Sequence, residues 1–221
     1  MFRFFHAPLS PFCRKVRLVL SEKKLEFELI EEKYWEKRED FLTLNPLGQV
    51  PVLQNSEITL AESSAICEYL NEKFPDPELL PNSIEARAEV RRLVSWFDDK
   101  FNREVTQKLV YERITKKIIG EGYPEAKNVK LGMHNIKFHM DYMSSLLEYR
   151  QWLAGNEMTL ADFAAAAHFS VLDYSRDVDW DRSNLVKDWY AKIKSRPAFR
   201  SLLADHLAGF PQPPHYADLD F

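Results

Sequence analysis

The fold is decided by the stretch Leu9-Ser10-Pro11-Phe12-Cys13-Arg14-Lys15-Val16-Arg17, which follows directly on the short apolar segment Phe2–Phe5. Ser10 is a favourable N-cap residue, and Pro11 suits the first helical position, where no N–H is needed. A helix that begins there directs its free N–H groups and the positive end of its dipole toward Ser10. Such a place stabilises an anion and above all a thiolate. The alternative is an ordinary helix cap between a strand and a helix.

The first third of the chain alternates between short strands and helices. Apolar residues on one helical face predict a helix over residues 11 to 24, and alternation predicts a second strand from Phe27. Two strands joined by a helix form a right-handed crossover and are expected to be parallel. Val50-Pro51-Val52-Leu53 predicts a third strand, which lies at a sheet edge or begins at the proline, because proline cannot donate to the ladder. Residues 58 to 60 pair back as a hairpin, and a helix follows over about 63 to 74.

A proline-rich segment, residues 75 to 82, is predicted to link a first domain (residues 1 to 74) to a second domain (residues 83 to 208). The second domain is helical in period throughout. One helix is expected to start near Ala88, a second to span about Asn102 to Ile119, and a third about Glu125 to Tyr149. The last segment, residues 209 to 221, is predicted to be extended and not helical, because it contains three prolines.

Thr159 and Asp162 form the clearest local signal of the second domain. Thr159 is predicted to cap the N–H at the third helical position, while the Asp162 carboxylate accepts from the Thr159 N–H. Met158 and Phe163 stand at the positions of a hydrophobic staple. The four alanines at 164 to 167 indicate that this helix packs closely and is buried.

Composition excludes several classes of function. The net charge of −4 gives no electrostatic case for nucleic acid, and no apolar run is long enough for a membrane span. The N-terminus does not read as a signal peptide, so we expect a cytoplasmic protein. Its two cysteines fit a reducing compartment and exclude a disulfide framework or a zinc site, and no metal is expected.

The order of a βαβ unit, a hairpin, a helix, a proline linker and a helical remainder resembles the cytosolic glutathione S-transferase family. Ser10-Pro11-Phe12-Cys13 stands where the serine-type members keep their catalytic residue, and Asn45-Pro46-Leu47-Gly48-Gln49-Val50-Pro51 is similar to the turn that carries the family's cis-proline. Glu62-Ser63 and the Thr159–Asp162 capping box also match. The resemblance implies a thioredoxin-like α/β N-terminal domain, an all-α C-terminal domain, a homodimer, and glutathione as cosubstrate with a small electrophile.

The resemblance implies Ser10 as the catalytic residue and a glutathione site formed by Gln49, Val50, Pro51, Glu62 and Ser63. Ser10 would donate to the bound sulfur and favour its thiolate. A cis peptide before Pro51 would expose the main chain of Val50 to an extended cysteinyl peptide. Glu62 and Ser63 would hold the γ-glutamyl ammonium and carboxylate. Each has a purely structural alternative: Pro51 shapes an edge, Glu62 complements a helix dipole, and Ser63 only caps.

Other reactive residue types have structural interpretations. Cys13 lies one turn into the helix beside apolar neighbours, so packing is favoured over a role as nucleophile, and Cys67 is expected in the core. Tyr111, Arg113 and His168 are candidates for the lining of a second-substrate pocket, which the sequence alone does not establish. The charges from Arg113 to Lys117 fit a solvated helix face.

Two segments are not needed for conjugation. The loop after the second strand carries Trp35, and the tail ends in His215-Tyr216-Ala217-Asp218-Leu219-Asp220-Phe221. This ending resembles that of a bacterial subgroup of the family that binds filaments of the division protein FtsZ and is not thought to depend on glutathione. Candidate partner-binding residues are Trp35, Tyr216, Asp218, Asp220 and Phe221; the alternative is that both segments fold back onto the body. The sequence therefore leaves two functions open, that of a glutathione transferase and that of a filament-binding scaffold.

Overall fold

The computed structural model describes residues 1 to 219. The N-terminal domain contains four strands, three helices and a 3₁₀ turn at Tyr34–Glu36. In chain order its elements are β1 (Phe2–His6), α1 (Pro11–Glu22), β2 (Phe27–Glu31), α2 (Glu39–Leu44), β3 (Val52–Gln54), β4 (Thr59–Ala61) and α3 (Ser63–Lys73). The sheet has the strand order β2-β1-β3-β4. This is a thioredoxin-like arrangement, with α1 and α3 packed against each other.

The predicted strand pairing is confirmed. β1 and β2 are parallel, with Phe4 opposite Leu29, while β3 pairs antiparallel with both β1 and β4. Of the two positions predicted for the Pro51 segment, a sheet edge or a strand start, the structure does not have the first, because β3 lies inside the sheet. The other expectation holds: ladder pairing begins at Val52, directly after the proline, so the missing N–H of Pro51 interrupts no ladder bond.

The second domain starts with one continuous helix where two were predicted. α4 (Ile84–Ser95) continues without a break through Trp96–Thr115, wound with i→i+5 hydrogen bonds, into α5 (Lys116–Ile119). No glycine or proline interrupts it. Its buried residues form a broad face that includes two polar side chains: Phe97, Phe101, Val105, Thr106, Leu109, Val110, Glu112 and Ile114.

The remaining helices are α6 (Ala126–Leu147), α7 (Leu160–Tyr174), α8 (Asn184–Lys194) and α9 (Arg200–Leu203). Every residue of α7 is buried, as its alanine run indicated. The capping box is formed, since the Thr159 N–H donates to Asp162 Oδ2 at 2.9 Å. Asp162 Oδ1 also accepts from the Leu153 N–H and the Trp189 indole, so this carboxylate joins three segments.

One expectation about the exposure of α1 and one about the backbone conformation of the tail are wrong. α1 was expected to be amphipathic, yet Arg14, Lys15 and Arg17 are as buried as its apolar residues, because α1 also packs against α7 of the second domain. The tail was expected to be extended, yet Pro214–Tyr216 forms one 3₁₀ turn. Proline is compatible with the first position of such a turn. No helix within residues 1 to 219 is long and apolar enough to cross a membrane.

Candidate functional site

Ser10 occupies the N-cap of α1. Its Oγ accepts from the Cys13 N–H at 3.3 Å, and its own N–H donates to the Ala7 carbonyl at 3.1 Å. Ser10 is half-buried and lines a cavity at the junction of the two domains. The positive end of the helix dipole therefore lies beside a hydroxyl that a ligand can reach, which is the electrostatic arrangement that stabilises a thiolate.

Cys13 packs behind Ser10 and is not an alternative nucleophile at this position. The side chain is fully buried, and its sulfur accepts from the Ala7 N–H at 3.5 Å. Burial raises the pKa of the Cys13 thiol to about 11, so the neutral thiol predominates near neutral pH. Burial likewise raises the pKa of Cys67 to about 12. Both cysteines have the packing role that the sequence favoured.

The residues implied for glutathione binding surround one cavity of about 180 Å³, lined by Phe12, Asn45, Gln49, Val50, Pro51, Glu62 and Ser63. The Val50–Pro51 peptide is cis. The Asn45 side chain shapes the turn before it, because its amide donates to the Gln49 carbonyl at 2.8 Å and its oxygen accepts from the Leu47 N–H at 3.2 Å. Gly48 has a φ of +59° in this turn, a conformation that favours glycine.

Glu62 is held in an unusual backbone conformation. It is the N-cap residue of α3, is exposed, and has a φ of +71°, which is uncommon for a residue with a side chain. Ser63 follows as the first residue of α3 and is buried. A non-glycine residue at positive φ beside a cavity is a feature that concentrates at functional sites. Glu62 lies at the N-cap of α3, where its carboxylate faces the cavity lining and also complements the helix dipole.

A second cavity, of about 200 Å³, adjoins the first and shares Phe12, Gln49 and Val50 with it. Its walls are largely apolar and come from both domains. They include Tyr34 and Trp35 from the loop after β2, and Val110, Tyr111 and Ile114 from the long helix, with Ser10 between these walls. A ligand in the first cavity can thus place a reacting atom beside Ser10 and an apolar group in the second.

Of the three candidates for this second pocket, only Tyr111 lies in its lining. Arg113 forms an ion pair with Asp177, at 2.6 Å. His168 is buried in the second domain, where its Nδ1 lies 2.8 Å from the Thr106 hydroxyl. Burial lowers the pKa of His168 to about 3, which keeps the imidazole neutral. The expectation is therefore wrong for Arg113 and His168, whose positions on the helices face other elements.

The candidate partner-binding residues have separate environments. Trp35 is half-exposed and contacts Tyr34 edge to face, with 5.3 Å between ring centroids. Tyr216 is 0% exposed, so its interpretation as an accessible anchor is wrong: the tail folds back and inserts this ring into the core. Asp218 lies at the surface. Asp220 and Phe221 lie outside the described residues.

Sequence reasoning missed the buried cations of α1. Arg14 and Arg17 both pair with Asp205, at 3.0 and 2.8 Å, and Lys15 pairs with Asp98 of the long helix. These pairs join the helix that carries Ser10 to the second domain. The available signal was the concentration of three cations opposite an apolar face, but their acidic partners lie far away in the sequence.

Comparison with known proteins agrees with this geometry. Residues 9–73 match the family profile described as the glutathione S-transferase N-terminal domain, and residues 96–206 match that of the C-terminal domain. FtsZ-localized protein A of Caulobacter vibrioides is 44% identical, over 98% of this chain and 96% of its own length. Glutathione S-transferase 3 of Zea mays is 31% identical, over 96% of both chains. A crystal structure described as a glutathione S-transferase from Rhodospirillum rubrum F11 is 48% identical, with a TM-score of 0.97 over all of both chains.

Proposed function

This chain belongs to the glutathione S-transferase family, and on that premise we propose that it binds glutathione and activates the thiol beside Ser10 for conjugation or thiol transfer to a small electrophile. The observation that carries this proposal is the junction of two cavities. One is lined by Gln49, Val50, Pro51, Glu62 and Ser63, and the other, apolar, contains Ser10. Phe12, Gln49 and Val50 belong to both, so a bound tripeptide with its sulfur near Ser10 faces the apolar cavity.

Each end of glutathione has a matching group in this arrangement. The start of α3 offers the Ser63 hydroxyl and free helical N–H groups to the γ-glutamyl carboxylate, while the exposed Glu62 carboxylate complements the ammonium. Val50 lies two residues before the strand ladder, where an extended peptide can add main-chain hydrogen bonds. The Ser10 hydroxyl then donates to the sulfur and, with the dipole of α1, favours the thiolate, which is the nucleophile.

Titration calorimetry with glutathione tests the binding step. Wild-type protein is expected to bind, and Glu62→Gln is expected to weaken binding by about tenfold, because one charge-assisted hydrogen bond to the ammonium is lost. Glu57→Gln is the matched control, since Glu57 is also an exposed acid of this domain but lies outside both cavities and pairs with Lys73. Equal weakening by both variants, or no binding by the wild type, would refute the proposal.

The protein is also proposed to be a homodimer in the cytoplasm. A cavity of about 540 Å³ includes Glu62 and Ser63 in its lining and extends between α3 and α4, along the Glu68–Arg91 ion pair. A second copy seated on this surface would cover it, and two-fold pairs are the commonest oligomers. Light scattering at micromolar concentration is expected to give the mass of two chains, and a mass of 26.0 kDa would contradict this.

A second function is proposed because the similarity to FtsZ-localized protein A covers 98% of this chain. On that basis the chain binds FtsZ filaments as a scaffold, through Trp35 or the surface of the tail at Asp218. Co-sedimentation with FtsZ filaments tests it, with and without glutathione. Binding that is independent of glutathione would favour the scaffold alone, and its dependence on glutathione would join the two functions. A protein that stays in the supernatant in both cases would refute this function.

A further inference from the structure

The buried guanidinium of Arg14 connects the C-terminal tail to the loop that carries Ser10. Its Nε donates to the Pro8 carbonyl at 2.8 Å, two residues before Ser10. Its Nη1 donates to the hydroxyl of Tyr216 at 2.8 Å and to that of Ser170 at 2.9 Å. Arg14 is 0% exposed, so these donors have no water to replace a lost partner.

Tyr216 completes this connection from the side of the tail. Its hydroxyl accepts from Arg14 and donates to the Leu202 carbonyl at 3.2 Å, and its ring packs edge to face on Tyr174, 5.2 Å between centroids. Tyr174 anchors another part of the same segment, donating to the Phe210 carbonyl at 2.7 Å. No hydrogen bond between the Tyr174 hydroxyl and Arg14 is found among residues 1 to 219.

We propose that Tyr216 and Arg14 are positioning residues for Ser10, so that docking of the tail sets the geometry of the loop from Ala7 to Ser10. Removal of the Tyr216 hydroxyl leaves a buried Arg14 donor unpaired, and the guanidinium then relaxes away from the Pro8 carbonyl. The Ser10 N–H, which donates to the Ala7 carbonyl at 3.1 Å, is thereby loosened. The role in sulfur stabilisation rests on the proposed function of Ser10; the connection itself does not.

The connection also makes the two ends of the molecule interdependent. A ligand that orders the loop at Ser10 favours the docked tail and so weakens the binding of a macromolecule that draws the tail out. That macromolecule weakens the binding of the ligand by the same factor. The two proposed functions of this chain would then be linked thermodynamically, through one buried cation.

Hydrogen exchange measured by mass spectrometry on the full chain tests the connection without any ligand. In Tyr216→Phe, amides in the peptide covering residues 7 to 14 are expected to exchange about tenfold faster, the effect of one lost hydrogen bond to a charged group. Tyr174→Phe is the matched control, because it removes a tail-anchoring hydroxyl without altering the contact to Arg14. Unchanged exchange in Tyr216→Phe, or the same acceleration in both variants, would overturn the proposal.

A second measurement separates this proposal from the proposed function. The pKa of the bound glutathione thiol, followed by thiolate absorbance against pH, is expected to rise in Tyr216→Phe and to stay unchanged in Tyr174→Phe. A change that appears equally in both variants would indicate a general loss of stability and would contradict a positioning role. If the wild type binds no glutathione, the proposed function fails, and the exchange experiment still decides the connection.

Discussion

Truncation of the tail on either side of Tyr216 separates its structural part from its surface part. A chain that stops after Ala217 keeps Tyr216, which is 0% exposed, whereas a chain that stops after His215 loses it. Full burial of a tyrosine side chain contributes about 2 kcal/mol, and the unpaired Arg14 donor costs about another 2 kcal/mol. For a chain of this size each kcal/mol moves the melting temperature by about 2–4 °C. The shorter chain is therefore expected to melt about 10 °C lower.

Calorimetric melting of the two truncated chains and the full chain measures this difference. The chain ending at Ala217 is expected to melt within about 2 °C of the full chain, because it keeps Tyr216 and the buried contacts of its hydroxyl and ring. If its melting temperature is unchanged, this chain is also the variant to use for co-sedimentation with FtsZ filaments. Equal melting temperatures for the two truncated chains would refute the burial of Tyr216 and the role of the tail in the fold.

Three further predictions concern stability and assembly. Asp162→Ala is expected to destabilise the fold by about 4 kcal/mol, because the Leu153 N–H and the Trp189 indole also lose their acceptor. Thr159→Ala is expected to cost about 1 kcal/mol, as for the loss of a helix cap. Equal midpoints of denaturant unfolding for the two variants would contradict this difference. Burial lowers the pKa of His6 to about 4 and that of His168 to about 3, so the unfolded chain binds more protons below pH about 6.5. The free energy of unfolding should therefore fall as pH drops from 6.5 toward 4, and His168→Phe should flatten this slope, as measured by urea unfolding at several pH values. Charge-reversing Arg91→Glu is expected to weaken the proposed dimer, measured as mass by light scattering at decreasing concentration. Arg182→Glu is the control, because Arg182 pairs with Asp141 and neither residue lines this cavity.

Local signals in the sequence predicted the N-terminal domain well. The Ser10-Pro11 cap, the parallel pairing of the first two strands and the turn before Pro51 each depend on residues close together in the chain. The capping box of α7 is of the same kind. Such features are set by backbone chemistry, which single residue types determine.

The features that sequence reasoning missed depend on contacts between distant segments. The burial of Arg14 and Arg17 was not predicted, because their partner Asp205 lies almost two hundred residues later. The sequence left open whether Tyr216 binds a partner or folds back onto the body, because nothing local indicates that its ring packs between α1 and α7. The single helix from Ile84 to Ile119 was predicted as two, because no local residue type marks the change to i→i+5 winding after Trp96.

The rate of glutathione conjugation by Ser10→Ala, compared with its affinity for glutathione, tests the central claim most directly. In the proposed function, charge develops on the sulfur beside the Ser10 hydroxyl at the N-terminus of α1, so the variant is expected to lose about 10²-fold in rate. Calorimetry is expected to show nearly unchanged affinity, because the other groups of the first cavity hold the tripeptide. Equal rates for the variant and the wild type would contradict the role of Ser10.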